Sequence, residues 1–176
     1  MKRSNAGILG VTGIVALAIT GCGGGGSTSS SSAASATTAS TPAAATTAAS
    51  GATTGIATVS VVHNSSLGSI LVAGPKQRTV YLFVADKGPM STCSGACAEV
   101  WPPVITTASP KATGGANTED LGTITRSDGT KQVTYKGHPL YYYAGDGTSG
   151  GETSGQAISS FGAPWYVLTP SGSEVK

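Results

Sequence analysis

One eight-residue pattern occurs twice, and it governs what this chain can build. Thr79-Val80-Tyr81-Leu82-Phe83-Val84-Ala85-Asp86 and Pro139-Leu140-Tyr141-Tyr142-Tyr143-Ala144-Gly145-Asp146 both read Tyr-x-aromatic-x-x-Asp, 60 positions apart. Each copy follows a strand-like run and a turn, and each precedes a polar loop and then a tryptophan, Trp101 or Trp165. A unit of two or three strands is marginal alone in water. Two copies of one β-unit are therefore expected to pack about a pseudo-twofold axis and share a core.

The local patterns agree with this. Thr58–Val62, Ser69–Ala73, Thr79–Val84, Thr123–Arg126, Gln132–Lys136, Leu140–Tyr143 and Trp165–Thr169 are short runs rich in β-branched and aromatic residues. Turn chemistry separates them: the Asp-Gly step of Ser127-Asp128-Gly129-Thr130 suits a hairpin, and Lys136-Gly137-His138-Pro139 and Gly74-Pro75-Lys76-Gln77 are further turns. No segment sustains a helical period, so a helix is expected only as a turn or two around Cys93–Val100. The expected fold is all-β: a compact domain over residues 57–176, with repeats over about 57–108 and 119–172.

The N-terminal third has a different character. Residues 1–21 carry Lys2 and Arg3 ahead of an uncharged aliphatic stretch from Ala6 to Thr20, the order of a signal peptide. As a helix that stretch would span roughly 22 Å, short of the roughly 30 Å hydrocarbon core, so cleavage is favoured over permanent insertion. Ile19-Thr20-Gly21-Cys22 resembles the lipobox of bacterial lipoproteins. That resemblance implies a diacylglyceryl group on Cys22, cleavage before it, and a membrane anchor. Two or more acyl chains, at about 0.8 kcal/mol per buried methylene, hold a protein stably where one does not. From there to residue 56 the chain is mostly Gly, Ser, Ala and Thr without a charge, a composition that reads as a flexible linker with a reach of about 30 Å.

Processing also changes the charge. The formal +2 comes from ten basic and eight acidic residues, and losing Lys2 and Arg3 leaves a neutral chain. Nucleic acid is thereby excluded as an expected partner.

With Cys22 assigned to lipid, Cys93 and Cys97 are the remaining thiols, and in an oxidising compartment they are expected to pair. A loop this short contributes roughly 2 kcal/mol in the chain-entropy account, enough to stiffen one loop. A static staple is the first reading, and a redox-active or thiolate metal site is the alternative. Cys97 is followed by Ala98 where covalent haem would need His, and His63 and His138 are not at zinc-ligand spacing.

Tyr81 with Phe83, and Tyr141 with Tyr143, are two apart and so share a strand face, where an aromatic cluster across the pseudo-axis is expected. Asp86 and Asp146 fall just past the strand ends, where a carboxylate commonly accepts from loop N–H groups. Converging instead, they would form a shared carboxylate site for calcium or copper. The loop from Asp146 to Gln156 lacks the alternating ligands of an EF-hand and reads as a mobile surface loop. His63, His138 and Trp101-Pro102-Pro103 read as a solvated histidine, a turn residue and a packing corner.

Several of these motifs together resemble a known family, the bacterial "secreted repeat of unknown function" lipoproteins with their Tyr-x-(Phe/Trp/Tyr)-x-x-Asp motif. The resemblance runs from about Leu67 to Pro170. It rests on Thr79–Asp86, on Ser91–Pro103 with its Cys93-x-x-x-Cys97 and Trp101, on Gln132–Tyr143, and on Trp165-Tyr166-Val167. Gly155-Gln156-Ala157 departs from an expected Gly-Gln-Gly, which bears on the backbone of one loop. The resemblance implies a secreted or lipid-anchored envelope protein, often with the repeat duplicated, and no established activity.

No Gly-x-Ser-x-Gly, phosphate loop, dinucleotide fingerprint or metalloprotease helix occurs, so no catalytic or metal residue and no cofactor is assigned. The first functional expectation is a non-enzymatic binding or interaction module of the cell envelope, partnered by the membrane through its lipid and by a wall component, small ligand or envelope protein. The second is a redox or copper-handling lipoprotein using Cys93 and Cys97.

Overall fold

The computed structural model describes residues 55–176; the stretches up to residue 54 expected to be a signal peptide and a linker, with Cys22 between them, lie outside the described residues. Among the described residues the regular structure is almost all strand. The first repeat runs β1 (Thr58–Asn64), β2 (Gly68–Ala73), β3 (Arg78–Thr79) and β4 (Tyr81–Phe83), then a single helical turn α1 (Ala96–Val100), and β5 (Lys111–Ala112) lies in the connection to the second. The second runs β6 (Leu121–Thr125), β7 (Lys131–Tyr135), β8 (His138–Pro139), β9 (Ser159–Ser160) and β10 (Ala163–Val167).

The strands form three small sheets in the orders β3-β2-β1-β5, β4-β10-β9 and β6-β7-β8. Pairing is antiparallel except between β1 and β5. The two hairpin units correspond strand for strand: β1-β2-β3 repeats as β6-β7-β8. Lys136 and Gly137, at φ 47° and 81°, join Tyr135 to its partner His138 in a two-residue turn whose both central residues need positive φ. The Asp-Gly step closes a slightly longer loop, in which Arg126 N–H donates to Thr130 O at 2.9 Å and Gly129 takes φ 81°.

The repeats are interlocked. β10 of the second repeat pairs with β4 of the first, Val167 opposite Tyr81 and Trp165 opposite Phe83. Pro103 of the first repeat sits opposite Tyr141 of the second. Tyr81 and Tyr141 themselves face each other, exchanging N–H···O bonds of 2.8 and 3.0 Å, so the pseudo-axis passes between them.

One expected strand is not there. Leu140–Tyr143 takes part only in isolated bridges, whereas its counterpart β4 forms a three-residue ladder. The reason lies in its partner. Tyr142 N–H donates to Pro102 O at 2.7 Å, but Pro102, standing where Tyr166 stands in the other repeat, has no N–H to return.

Period-two alternation divides the core into two parts. Val80, Leu82, Leu140 and Tyr142 join Val59, Leu71, Val104, Val133 and Leu168 in a largely aliphatic cluster. The alternate residues Tyr81, Phe83 and Tyr141 join Trp101, Trp165, Ile70, Val167, Cys93 and Cys97 in an aromatic one.

Candidate functional site

The motif residues meet at the pseudo-axis in a reciprocal clasp. Tyr81 donates its hydroxyl to Asp146 Oδ2 at 2.7 Å, and Tyr141 donates to Asp86 Oδ2 at 2.6 Å. Each tyrosine thus reaches the aspartate of the other repeat. The second oxygen of each carboxylate orders the loop that follows it: Asp86 Oδ1 accepts from Thr92 N–H and Oγ1, and Asp146 Oδ1 accepts from Ser154 N–H. The same carboxylate types that read as loop caps from the sequence therefore also tie the repeats together.

Burial sets the electrostatics. It pushes the Asp146 carboxyl above the usual range, against the opposing pull of its bonds from Tyr81 and Ser154. Both phenols are raised, first by burial and then by the adjacent carboxylate, which penalises a second negative charge. The carboxylates share no hydrogen-bond partner, and among the described residues no group of three or more His, Cys, Asp or Glu stands close enough to hold a metal ion.

Trp101 and Trp165 stack on each other with ring centroids 4.1 Å apart and planes 1° from parallel. Phe83 stacks on Trp165 at 4.0 Å, and Tyr143 tilts onto Trp101 at 4.5 Å, as the symmetry requires. Both indole N–H groups end on Ser160, one on its hydroxyl at 3.1 Å and one on its carbonyl at 3.2 Å. Gly155 is where backbone must pass close to this cluster. A Cβ there would lie 2.9 Å from the Tyr81 ring and 3.0 Å from Trp101. Two residues on, Ala157 takes φ 59°, a left-handed position that favours glycine, the residue expected there from the sequence resemblance.

Cys93 and Cys97 are joined in a disulfide with Cα atoms 5.2 Å apart, and both are buried. Their loop is held by Arg126, which the sequence marked only as a strand end. Its guanidinium is buried, donating to Cys93 O at 2.6 Å, Ser91 Oγ at 2.6 Å and Gln132 Oε1 at 2.7 Å. Ser91 Oγ lies 2.7 Å from the Tyr141 hydroxyl, which continues the network to Asp86. Nothing in the spacing of Ser91, Arg126 and Gln132 announces this; it exists only once β6, β7 and the disulfide loop are assembled.

The remaining candidates are dispersed. His63 is exposed, and Trp101-Pro102-Pro103 is buried. The loop after Asp146, expected to be mobile, is tied at several points: Glu152 accepts from Gly147 N–H, and Gly151 bonds Gln77 O and Asn64 Nδ2. His138 is half-buried and lines a cleft of about 460 Å³ with Leu82, Asp86, Lys87, Ser173 and Glu174. This cleft draws on both repeats and the C-terminal turn, which is why no contiguous motif reveals it.

Residues 61–105 and 122–169 each match the family model described as a secreted repeat of unknown function, more than half of the chain in total. The chain belongs to that family. The two matched stretches are the tandem repeats of this chain, and they contain the tyrosines and aspartates that exchange partners. Membership places the protein outside the cytoplasm. Among the described residues no helix is long and apolar enough to cross a membrane. No match was found among the curated proteins or among the solved structures.

Proposed function

We propose that this secreted repeat is a lipid-anchored binding module of the cell envelope that takes a small polar ligand, such as a wall fragment, in the cleft beside β4. The observation that carries this reading is the cleft itself. Its volume of about 460 Å³ lies within the range of small-molecule sites. Leu82, Phe83 and Val84 line it together with Lys87, His138, Ser173, Glu174 and the edge of Asp86, groups of both charges that suit a ligand bearing both donors and acceptors. The motif carboxylates, in contrast, are consumed by the clasp and its loops. Burial of Cys93 and Cys97 favours a staple over the redox or copper alternative, since accessible bridges are the reducible ones.

Anchoring rests on the order of Lys2, Arg3, the apolar stretch and Ile19-Thr20-Gly21-Cys22. Cys22→Ser should release the protein from the membrane fraction without altering the β-domain. Retention of the variant in membranes would refute the anchor. For the cleft, soluble fragments of digested cell wall titrated against labelled protein should shift the backbone amide resonances of Val84, Lys87 and Ser173 saturably. His138→Ala with Lys87→Glu should abolish binding; no saturable shift, or a shift indifferent to both changes, would remove the cleft from consideration.

A further inference from the structure

The two indoles and the rings beside them make one column. Phe83, Trp165, Trp101 and Tyr143 follow each other at centroid spacings of 4.0, 4.1 and 4.5 Å. Tyr81 meets the column edge-on at Trp101, 5.4 Å away, and Tyr141 meets it at Trp165, 5.1 Å away. These two phenols are fully buried, while Tyr143 at the column's end is only partly so and reaches solvent.

Packing accounts for the rings at these positions and the clasp for a hydroxyl on an acceptor, but neither requires that the acceptor be charged. Phenylalanine would fill the same space, and a neutral acceptor would satisfy a buried hydroxyl without a charge to desolvate. The structure places a carboxylate oxygen on each phenol instead, at 2.7 and 2.6 Å. What a carboxylate adds is basicity. A phenol loses an electron readily when its proton can leave at the same time, and here the base already holds the hydrogen bond. The arrangement occurs twice, each time with its phenol against an indole of the same stack.

We propose that the column and its two clasped phenols are a relay for single oxidising equivalents, taking the electron vacancy left by a radical oxidant and holding it inside the domain. The oxidant gains one electron from the column, leaving an indole radical cation at Trp101 or Trp165. Tyr81 or Tyr141 passes one electron to that indole, and its hydroxyl proton moves to Asp146 Oδ2 or Asp86 Oδ2. The products are a restored indole, a neutral phenoxyl radical and a carboxylic acid. A one-electron reductant, such as a thiolate, then returns the electron, and the proton crosses back to the phenol oxygen. Buried phenoxyl radicals cannot couple to one another or to neighbouring proteins, so the oxidising equivalent waits without cross-linking the surface. This activity goes beyond ligand binding in the cleft and is independent of it.

Azide radicals generated by pulse radiolysis in the presence of the full chain test the relay. Decay of the indolyl absorption should coincide with growth of the phenoxyl absorption. The growth should be slower in heavy water and in Asp86→Asn or Asp146→Asn. The part of the growth that heavy water slows should be lost in the double variant Tyr81→Phe/Tyr141→Phe, which keeps every ring and leaves Tyr143 in the column. A folded double variant that forms phenoxyl radical as fast as the parent would overturn the proposal, as would indolyl decay in the parent without phenoxyl. If the double variant does not fold, the parent decides: no slowing in heavy water overturns the relay.

Discussion

Two small residues on the loop after Asp146 show opposite sides of the same constraint. Gly155 runs so close to Tyr81 and Trp101 that any Cβ overlaps both rings. Gly155→Ala should therefore destabilise the domain by about 2 kcal/mol, the ordinary cost of overpacking a filled core, read as a lower midpoint in denaturant. Ala157 holds a left-handed backbone at φ 59°, which costs a residue with a Cβ about 1 kcal/mol or more. Ala157→Gly relieves that cost but adds freedom to the unfolded chain, leaving a net gain of about 0.5 kcal/mol. The tyrosines give a prediction in pH. Burial raises Tyr81 and Tyr141 well above the ordinary phenol, and pushes Tyr142 up to about 12 despite the Arg78 guanidinium 4.5 Å over its ring. Because the folded values are raised, the unfolded chain ionises first. The stability from these groups is complete below pH 10.0 and is lost as pH climbs above it. A phenolate absorbance titration should show these three of the six tyrosines appearing only with alkaline unfolding. Three phenolates forming in a chain whose circular dichroism is unchanged would contradict this.

At the scale of elements, what was legible followed from periodicity and turn chemistry. Alternation in Thr79–Val84 displays which residues face each part of the core, and the Tyr-x-aromatic spacing places Tyr81 and Phe83 together. Leu140–Tyr143 carries the same alternation, yet its strand is cut short by a residue almost forty positions away, Pro102, whose missing N–H no local window can register. β5 and β9, two residues each, are likewise fixed by their partners β1 and β10 and not by their own sequence. Arg126 is the plainest case of information held only in the assembly. Its charge is buried against Cys93 O, Ser91 and Gln132, and its nearest carboxylate, Asp128, is exposed at 3.7 Å. Truncation leaves these acceptors unpartnered inside the protein. Arg126→Ala should cost about 3 kcal/mol and loosen the disulfide loop, seen as faster amide exchange at Cys93 and Ser94. Equal exchange in parent and variant would mean that the guanidinium is not what holds the loop.

For the molecule as a whole, the exchange of partners between repeats decides how it comes apart. β4 is completed by β10, Tyr141 is flanked by Tyr81 and Pro103, and each motif aspartate serves the tyrosine of the other repeat. Neither repeat has a core of its own, since both hydrophobic clusters draw on residues from each. Two separable units would unfold in two steps, but interlocked ones lose their shared strands and clasps together. Equilibrium denaturation should accordingly show one transition, with tryptophan fluorescence from the Trp101–Trp165 stack and far-ultraviolet circular dichroism coincident. Tyr81→Phe and Tyr141→Phe each remove a hydroxyl from a buried carboxylate and should each cost about 1.5 kcal/mol. The decisive point is where that cost falls. If the clasps join the repeats, either change lowers the midpoint of the whole domain and the slope stays constant, so that the single transition moves without splitting. A transition that splits in two, with one half unmoved by Tyr81→Phe, would mean that the repeats fold separately and that the reciprocal bonds decorate their interface without holding it.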